Sequence, residues 1–124
     1  MTLFSESDLS RIYEEGGNYY ADEDYQRAAE SFHKAAEQGY VKAQIEMAGM
    51  HFGGKGVEKS ESQASYWLHK AAMQGEAMAQ WFLGLIAMGE GNYADAIHWY
   101  GKAAEQGYEQ AIEDLGWLTE SGLI

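Results

Sequence analysis

Apolar residues recur along this chain at helical spacing. Nothing alternates with period two over a useful length, so no sheet is expected. Ala28, Phe32, Ala35 and Ala36 share one face of a helix from Tyr25 to about Gln38, with Asp24 as its cap. The same reading places a first helix from a cap at Ser7 or Asp8 to about Tyr20, and a third from Val41 to Phe52. Gly53-Gly54-Lys55-Gly56-Val57 is a loop by its glycines, and Ser60 caps a fourth helix ending near Gln74. Ala77 to Met88, Tyr93 to Gln106 and Glu109 to Glu120 complete a set of seven, the last ended by Gly122. The chain contains no proline, which leaves glycine to stop the helices.

One stretch organises the rest. Lys34-Ala35-Ala36-Glu37-Gln38-Gly39 returns as Lys70-Ala71-Ala72-Met73-Gln74-Gly75 and again as Lys102-Ala103-Ala104-Glu105-Gln106-Gly107. A period of roughly 20–50 residues marks a solenoid or array. Each copy reads as a helix end, a glycine stop and the start of the next helix. Lys-Ala-Ala favours helix, and Gly39, Gly75 and Gly107 suit the left-handed conformation that closes one. The first two copies lie four residues further apart than the last two. That difference falls in the turn inside each pair, long at 53–60 and tight at 89–92.

The residues resemble the Sel-one-like repeat, a branch of the tetratricopeptide superfamily. Its pattern is carried in the middle copy by Ala43-Gln44, Met47-Ala48, His51, Gly54-Lys55-Gly56-Val57, Ala64, Trp67-Leu68 and Lys70 to Gly75. The next copy supplies Ala79-Gln80, Leu83-Gly84, Ala96, Trp99-Tyr100 and Lys102 to Gly107, without the Gly-Val loop. The first copy, with Gly16, Tyr19-Tyr20, Asp24-Tyr25 and Ala28, is closer to a plain tetratricopeptide repeat, and Leu115-Gly116 marks a final half-repeat. Met47-Ala48 departs from the family's Leu-Gly, and Glu15 replaces its first leucine. The resemblance implies an all-α, right-handed α-solenoid of three helix–turn–helix repeats and a capping helix in a single domain. Repeat one would span 7–39, repeat two 40–75, repeat three 76–107 and the capping half-repeat 108–122. It also implies a scaffold that holds other proteins and has no catalytic apparatus.

In such solenoids the first helix of each pair lines the concave face. Aligning Gly16, Ala48, Gly84 and Gly116 carries the family's groove positions onto Ser10, Tyr13, Gly17 and Tyr20, and onto Lys42, Ile45, Gly49 and Phe52. The later copies supply Met78, Trp81, Leu85 and Met88, and Gln110, Glu113, Trp117 and Glu120. Helical spacing agrees, since Tyr13, Gly17 and Tyr20, like Trp81, Leu85 and Met88, are spaced i, i+4, i+7. The other face of the Ala77 to Met88 helix, with Phe82 and Ile86, is expected to supply core. The expected groove is Tyr13, Tyr20, Ile45, Phe52, Trp81, Leu85, Met88 and Trp117, with an acidic lip at Glu113 and Glu120. Aromatics and Met on such a face favour capture of a peptide or helix. Two other readings satisfy the same pattern. The side chains could fill a tightly curled array, or the groove could pair with a second copy or accept the chain's own Leu123-Ile124.

Charge narrows the partners. The formal net charge of −12 argues against phosphate backbones. Residues 1–24 hold seven acids (Glu6, Asp8, Glu14, Glu15, Asp22, Glu23, Asp24) against Arg11, and residues 105–124 hold five (Glu105, Glu109, Glu113, Asp114, Glu120) with no Lys or Arg. Acidic ends either keep an array soluble or attract a basic partner. The second option suggests, as an alternative to an adaptor, an immunity protein that neutralises a basic toxin enzyme. Some small relatives of this branch sit beside toxins in that role.

Chemistry is expected to be absent. No stretch reaches the apolar length of a membrane span, and Met1 to Asp8 lacks the basic and apolar regions of a signal peptide. With no cysteine as well, the cytoplasm is the expected compartment. Gly49-Met50-His51-Phe52-Gly53-Gly54-Lys55-Gly56 nearly spells a Walker A loop but has Gly56 where Ser or Thr should stand, and a helix precedes it. His33 and His69 recur with the repeat, and His51 and His98 lack ligand spacing, so no metal is expected. Neighbouring acids such as Glu14-Glu15 do not face each other on a helix. Neither a cofactor nor catalysis is expected.

Overall fold

The computed structural model describes residues 4–122. Met1–Leu3, part of the N-terminal stretch read above, and the Leu123-Ile124 tail considered as a groove occupant lie outside the described residues. Seven helices follow one another: α1 (Glu6–Ala21), α2 (Tyr25–Glu37), α3 (Val41–Gly53), α4 (Glu61–Met73), α5 (Ala77–Gly89), α6 (Tyr93–Glu105) and α7 (Glu109–Glu120). No strand occurs among the described residues. None of these helices is long and apolar enough to cross a membrane. The helices pack as two compact units, one ending at Lys70 and one beginning at Ala71.

Two kinds of helix start explain the alternation. Helices that follow a loop carry a side-chain cap. Asp24 accepts from the Arg27 N–H at 3.3 Å, Ser60 from Gln63 at 3.1 Å and Asn92 from Asp95 at 3.2 Å. The cap of α1 is Ser5, not Ser7 or Asp8. Ser5 Oγ accepts the Asp8 N–H, and Asp8 Oδ2 accepts the Ser5 N–H, both at 3.1 Å. This reciprocal box satisfies two donors that a helix start otherwise leaves open. It holds the Asp8 carboxyl below its usual range, chiefly through the Ser5 backbone N–H.

Helices that follow a glycine stop have no side-chain cap hydrogen bond. There the preceding turn does the positioning. Gly39, Gly75 and Gly107 have φ of +91°, +93° and +82°. Their N–H groups donate to Ala36, Ala72 and Ala104, and the next residues, Tyr40, Glu76 and Tyr108, donate to Ala35, Ala71 and Ala103. These are the two bonds of a Schellman closure, which requires the left-handed residue. Buried Gln44 then donates from Nε2 to the Ala36 carbonyl at 3.2 Å, and Gln80 repeats the bond to Ala72 at the same distance. The Ala-Gln signature is thus a clamp from one helix onto the end of the preceding one.

Within the first and last pairs a glycine on the first helix receives a large side chain from the second. A Cβ on Gly16 would lie 2.8 Å from the Phe32 ring, and one on Gly84 would lie 2.4 Å from the Tyr100 ring. In the middle copy, Ala48 and Leu68 occupy the matching positions, and both are buried. The departure at Met47-Ala48 therefore comes with a smaller opposing side chain. In the unit ending at Lys70, Leu9, Ile12, Phe32, Met47, Met50, Trp67 and Leu68 anchor a core whose remaining buried hydrophobics are alanines. In the other unit, Ala87, Ala96, Tyr100 and Leu118 form the centre, with Trp81, Met88, Tyr93, Ile97 and Leu115 packed against it. The α5 line that is buried is Ala79, Gln80, Leu83, Gly84 and Ala87, whereas Phe82 and Ile86 are only half-buried. The expected core face of α5 is therefore displaced by about one residue, because Gly84 must meet Tyr100.

Candidate partner-binding surfaces

In the unit ending at Lys70, the expected contact residues lie on α1 and α3, and Tyr13, Tyr20, Ile45 and Phe52 are all half-buried. Tyr13 sits between two rings, with centroids 5.5 Å from both Phe32 and Tyr40. Burial pushes its phenol up, and the nearby Glu46 carboxylate adds to the effect. Tyr20 packs edge-on against Tyr25 at 5.0 Å. The Lys55 ammonium lies 4.9 Å from the Tyr25 centroid and 5.5 Å from that of Tyr20, and donates to the Tyr20 hydroxyl at 3.4 Å. That bond is the main cause holding the Lys55 amine above its ordinary value.

This contact is how the long loop is seated. Gly56 has φ +72°, and a Cβ there would fall 2.1 Å from the Tyr25 carbonyl oxygen. His51 bonds through Nδ1 to the Glu58 carbonyl at 3.0 Å, so it braces the loop. Between the aromatics, Gly17 and Gly49 leave open space, since a Cβ built on either would meet no described atom within 4 Å beyond its chain neighbours and its own helix backbone.

The unit beginning at Ala71 presents α5 and α7 differently. Trp81 is half-buried and pinned. Its Nε1 donates to Asp114 Oδ2 at 2.8 Å, and its ring meets Tyr108 at 5.8 Å and Phe82 at 5.1 Å. Tyr108 stands to Trp81 as Tyr40 stands to Tyr13, since each tyrosine follows a glycine stop. Met88 packs on the core. Leu85 and Trp117 stand out, at 37% and 55% exposed, and Glu113 and Glu120 are exposed beside them. Gly17, Gly49, Leu85 and Trp117 share one repeat position. Open space in one unit thus corresponds to projecting apolar side chains in the other. Asp114 and Lys55, which fix the two aromatic sets, carried no signal in the sequence pattern.

A second surface lies on α2 and α4. Two clefts of about 430 and 480 Å³ share His33, Gln63 and Trp67. His33 pairs with Glu37 at 3.2 Å and meets the Trp67 ring edge-on at 5.7 Å. Among the described residues, no three His, Cys, Asp or Glu side chains converge to hold a metal.

The Sel1 repeat model matches residues 4–40, 41–76 and 77–108. Chitin synthase regulatory factor 3 of Schizosaccharomyces pombe is 39% identical over 88 residues, which is 66% of this chain and 9% of that protein. Chitin synthase regulatory factor 4 of the same yeast is 34% identical over 85 residues, 68% of this chain and 13% of its own length. The chain thus spans only a small part of those relatives. Among solved structures, a Sel1 repeat protein from Oxalobacter formigenes superposes with a TM-score of 0.78 and 35% identity, covering 89% of this chain and 47% of that one. A protective antigen of uropathogenic Escherichia coli displaying an SLR fold gives a TM-score of 0.82 and 27% identity over 92% of this chain and 26% of its own. Three successive repeat matches, each ending in a glycine-closed helix, place this chain in the Sel1 repeat family, the Sel-one-like branch of the tetratricopeptide superfamily.

Proposed function

We propose that the chain is a non-enzymatic protein–protein interaction module, an adaptor that holds a peptide or partner domain on the aromatic faces of α1, α3, α5 and α7. The observation that carries this reading is the pairing of projecting Leu85 and Trp117 with an acidic rim at Glu113 and Glu120. Tryptophan is enriched among residues that dominate binding energy, and an apolar centre with a polar rim is the usual anatomy of an interface. Tyr13 and Tyr20 in one unit, and Trp81 and Met88 in the other, are the packed aromatic and apolar residues beside which such contacts would form. Ile45 and Phe52, beside Gly17 and Gly49, give the partner's backbone room to approach. Membership of a repeat family and likeness to regulatory factors support a binding role, and no cofactor takes part in it.

The test is pull-down from native lysate with Trp117→Ala and Leu85→Ser, each checked for an unchanged helical circular dichroism spectrum. Loss of the captured protein at intact helicity is expected. Retained capture by both variants would refute this use of the surface. Running the same assay across salt addresses the narrower reading, in which the −12 charge covers a basic toxin enzyme. There capture should fall steeply as salt rises.

A further inference from the structure

The helix α7 is a first-type helix, and the face it should offer to a second-type helix is open. In α5 the line Gln80, Leu83, Gly84, Ala87 is buried. The same register on α7 is Ile112, Leu115, Gly116, Thr119. Ile112 is 50% exposed, Thr119 is exposed, and Leu115 and Gly116 are half-buried. The flank of α7 next to this line is used, since Ala111 and Leu118 are both at 0% and Leu118 lies in the core. The notches at Gly16 and Gly84 are filled by Phe32 and Tyr100, each sixteen residues on. Gly116 keeps the notch, but a Cβ built on it would meet no described atom within 4 Å beyond its chain neighbours and its own helix backbone.

Each filled notch is served by one arrangement. Ala28 and Phe32, Ala64 and Leu68, and Ala96 and Tyr100 place a small residue four before the large one, and Ala35, Ala71 and Ala103 follow three later, all buried. Glu109, Glu113 and Glu120 line one edge of the open face of α7, spaced i, i+4 and i+11, and no Lys or Arg occurs from residue 105 onward.

We propose that this face docks a basic amphipathic helix from another protein. That helix would carry Ala, a Leu, Phe or Tyr four residues later and a further Ala three beyond. The large side chain enters the Gly116 notch, the alanines permit close approach along Ile112 and Thr119, and Lys or Arg on one flank meets the glutamate edge. This face adjoins the aromatic surface assigned above and shares Glu113 and Glu120 with its rim, but its apolar positions, Ile112, Leu115, Gly116 and Thr119, are not part of that surface.

The probe is a labelled peptide of residues 92–107 of this chain with Ala94→Lys and Glu105→Lys, read by fluorescence anisotropy against the intact protein. Binding is expected, weakening as salt rises. It should weaken about tenfold or more when the peptide carries Tyr100→Ser, the loss typical of truncating an apolar anchor. Gly116→Leu in the protein meets open space and should leave the circular dichroism spectrum unchanged. It should weaken the parent peptide by a similar factor. Equal affinity for wild type and Gly116→Leu, or no binding by wild type, overturns the proposal. So does a wild-type dimer in sedimentation that Gly116→Leu dissolves, because a second copy would then be the occupant.

Discussion

Replacing Gly84 by Ala tests the packing rule that joins each helix pair. The added Cβ would stand 2.4, 2.5 and 3.1 Å from Cδ1, Cε1 and Cγ of Tyr100. Carbon atoms prefer about 3.5–4.0 Å, so the deficit is about 1 Å. Tyr100 is 2% exposed, and the ring has no open side to turn into. Overpacking of this kind costs about 1–3 kcal/mol, and a full ångström belongs near the upper end. Alanine recovers about 1 kcal/mol of helix propensity over glycine, leaving a net loss of about 2 kcal/mol.

Tyr100→Leu alone leaves a cavity and costs about 2 kcal/mol or more. The double variant recreates the Ala48 and Leu68 combination that the middle copy already uses. It should be more stable than the sum of the single losses by about 2 kcal/mol, a coupling within the range for residues in contact. Urea unfolding followed by circular dichroism reads this directly. With a slope of about 1.5 kcal/mol/M, Gly84→Ala should lower the midpoint by about 1.3 M. Additive losses, within about 0.5 kcal/mol, would refute the notch-and-knob account.

Other outcomes follow from the same structure. Gly56→Ala should destabilise by about 2 kcal/mol or more, because the left-handed conformation penalises a Cβ and this one meets the Tyr25 carbonyl. Hydrogen exchange should show residues 54–60 opening first. Gln80→Ile removes the clamp onto Ala72 and should cost about 1–2 kcal/mol in denaturant titration, whereas Ile112→Gln, at the matching but exposed position, should change stability by less than about 0.5 kcal/mol. Burial raises the Glu46 carboxyl above its ordinary 4.5, so the folded chain holds that proton more tightly than the unfolded one. Its contribution is therefore present below the unfolded value and lost as pH rises through the folded one. Glu46→Gln should accordingly stabilise the protein at neutral pH and give no gain in acid, as measured by melting across pH.

The helix order was readable because glycine and the cap residues mark nearly every boundary. Gly39, Gly75 and Gly107 announce the Schellman closures, and Asp24 and Ser60 announce the caps they make. The α1 cap lies two or three residues before the Ser7 or Asp8 expected from sequence, because Ser5, Ser7 and Asp8 all suit a helix start. Only the reciprocal bond between Ser5 and Asp8 selects among them. Apolar periodicity showed that α5 is greasy on two sides. It did not show that burial would follow Gly84, because that depends on Tyr100 arriving from another helix. For the candidate surface, register alone treated Trp81 and Trp117 as equals. Their difference comes from Asp114, which holds one indole in place while the other projects, and a tertiary hydrogen bond leaves no trace in spacing.

The proposed adaptor role requires that α1, α3, α5 and α7 carry the contact with another protein. Hydrogen exchange of the captured complex against the free chain measures this most directly. Protection gained in the peptides of α1, α3, α5 and α7, including those bearing Tyr20, Phe52, Leu85 and Trp117, is the predicted result. Protection confined to α2, α4 and α6, with Leu85 and Trp117 exchanging as in the free chain, would contradict it.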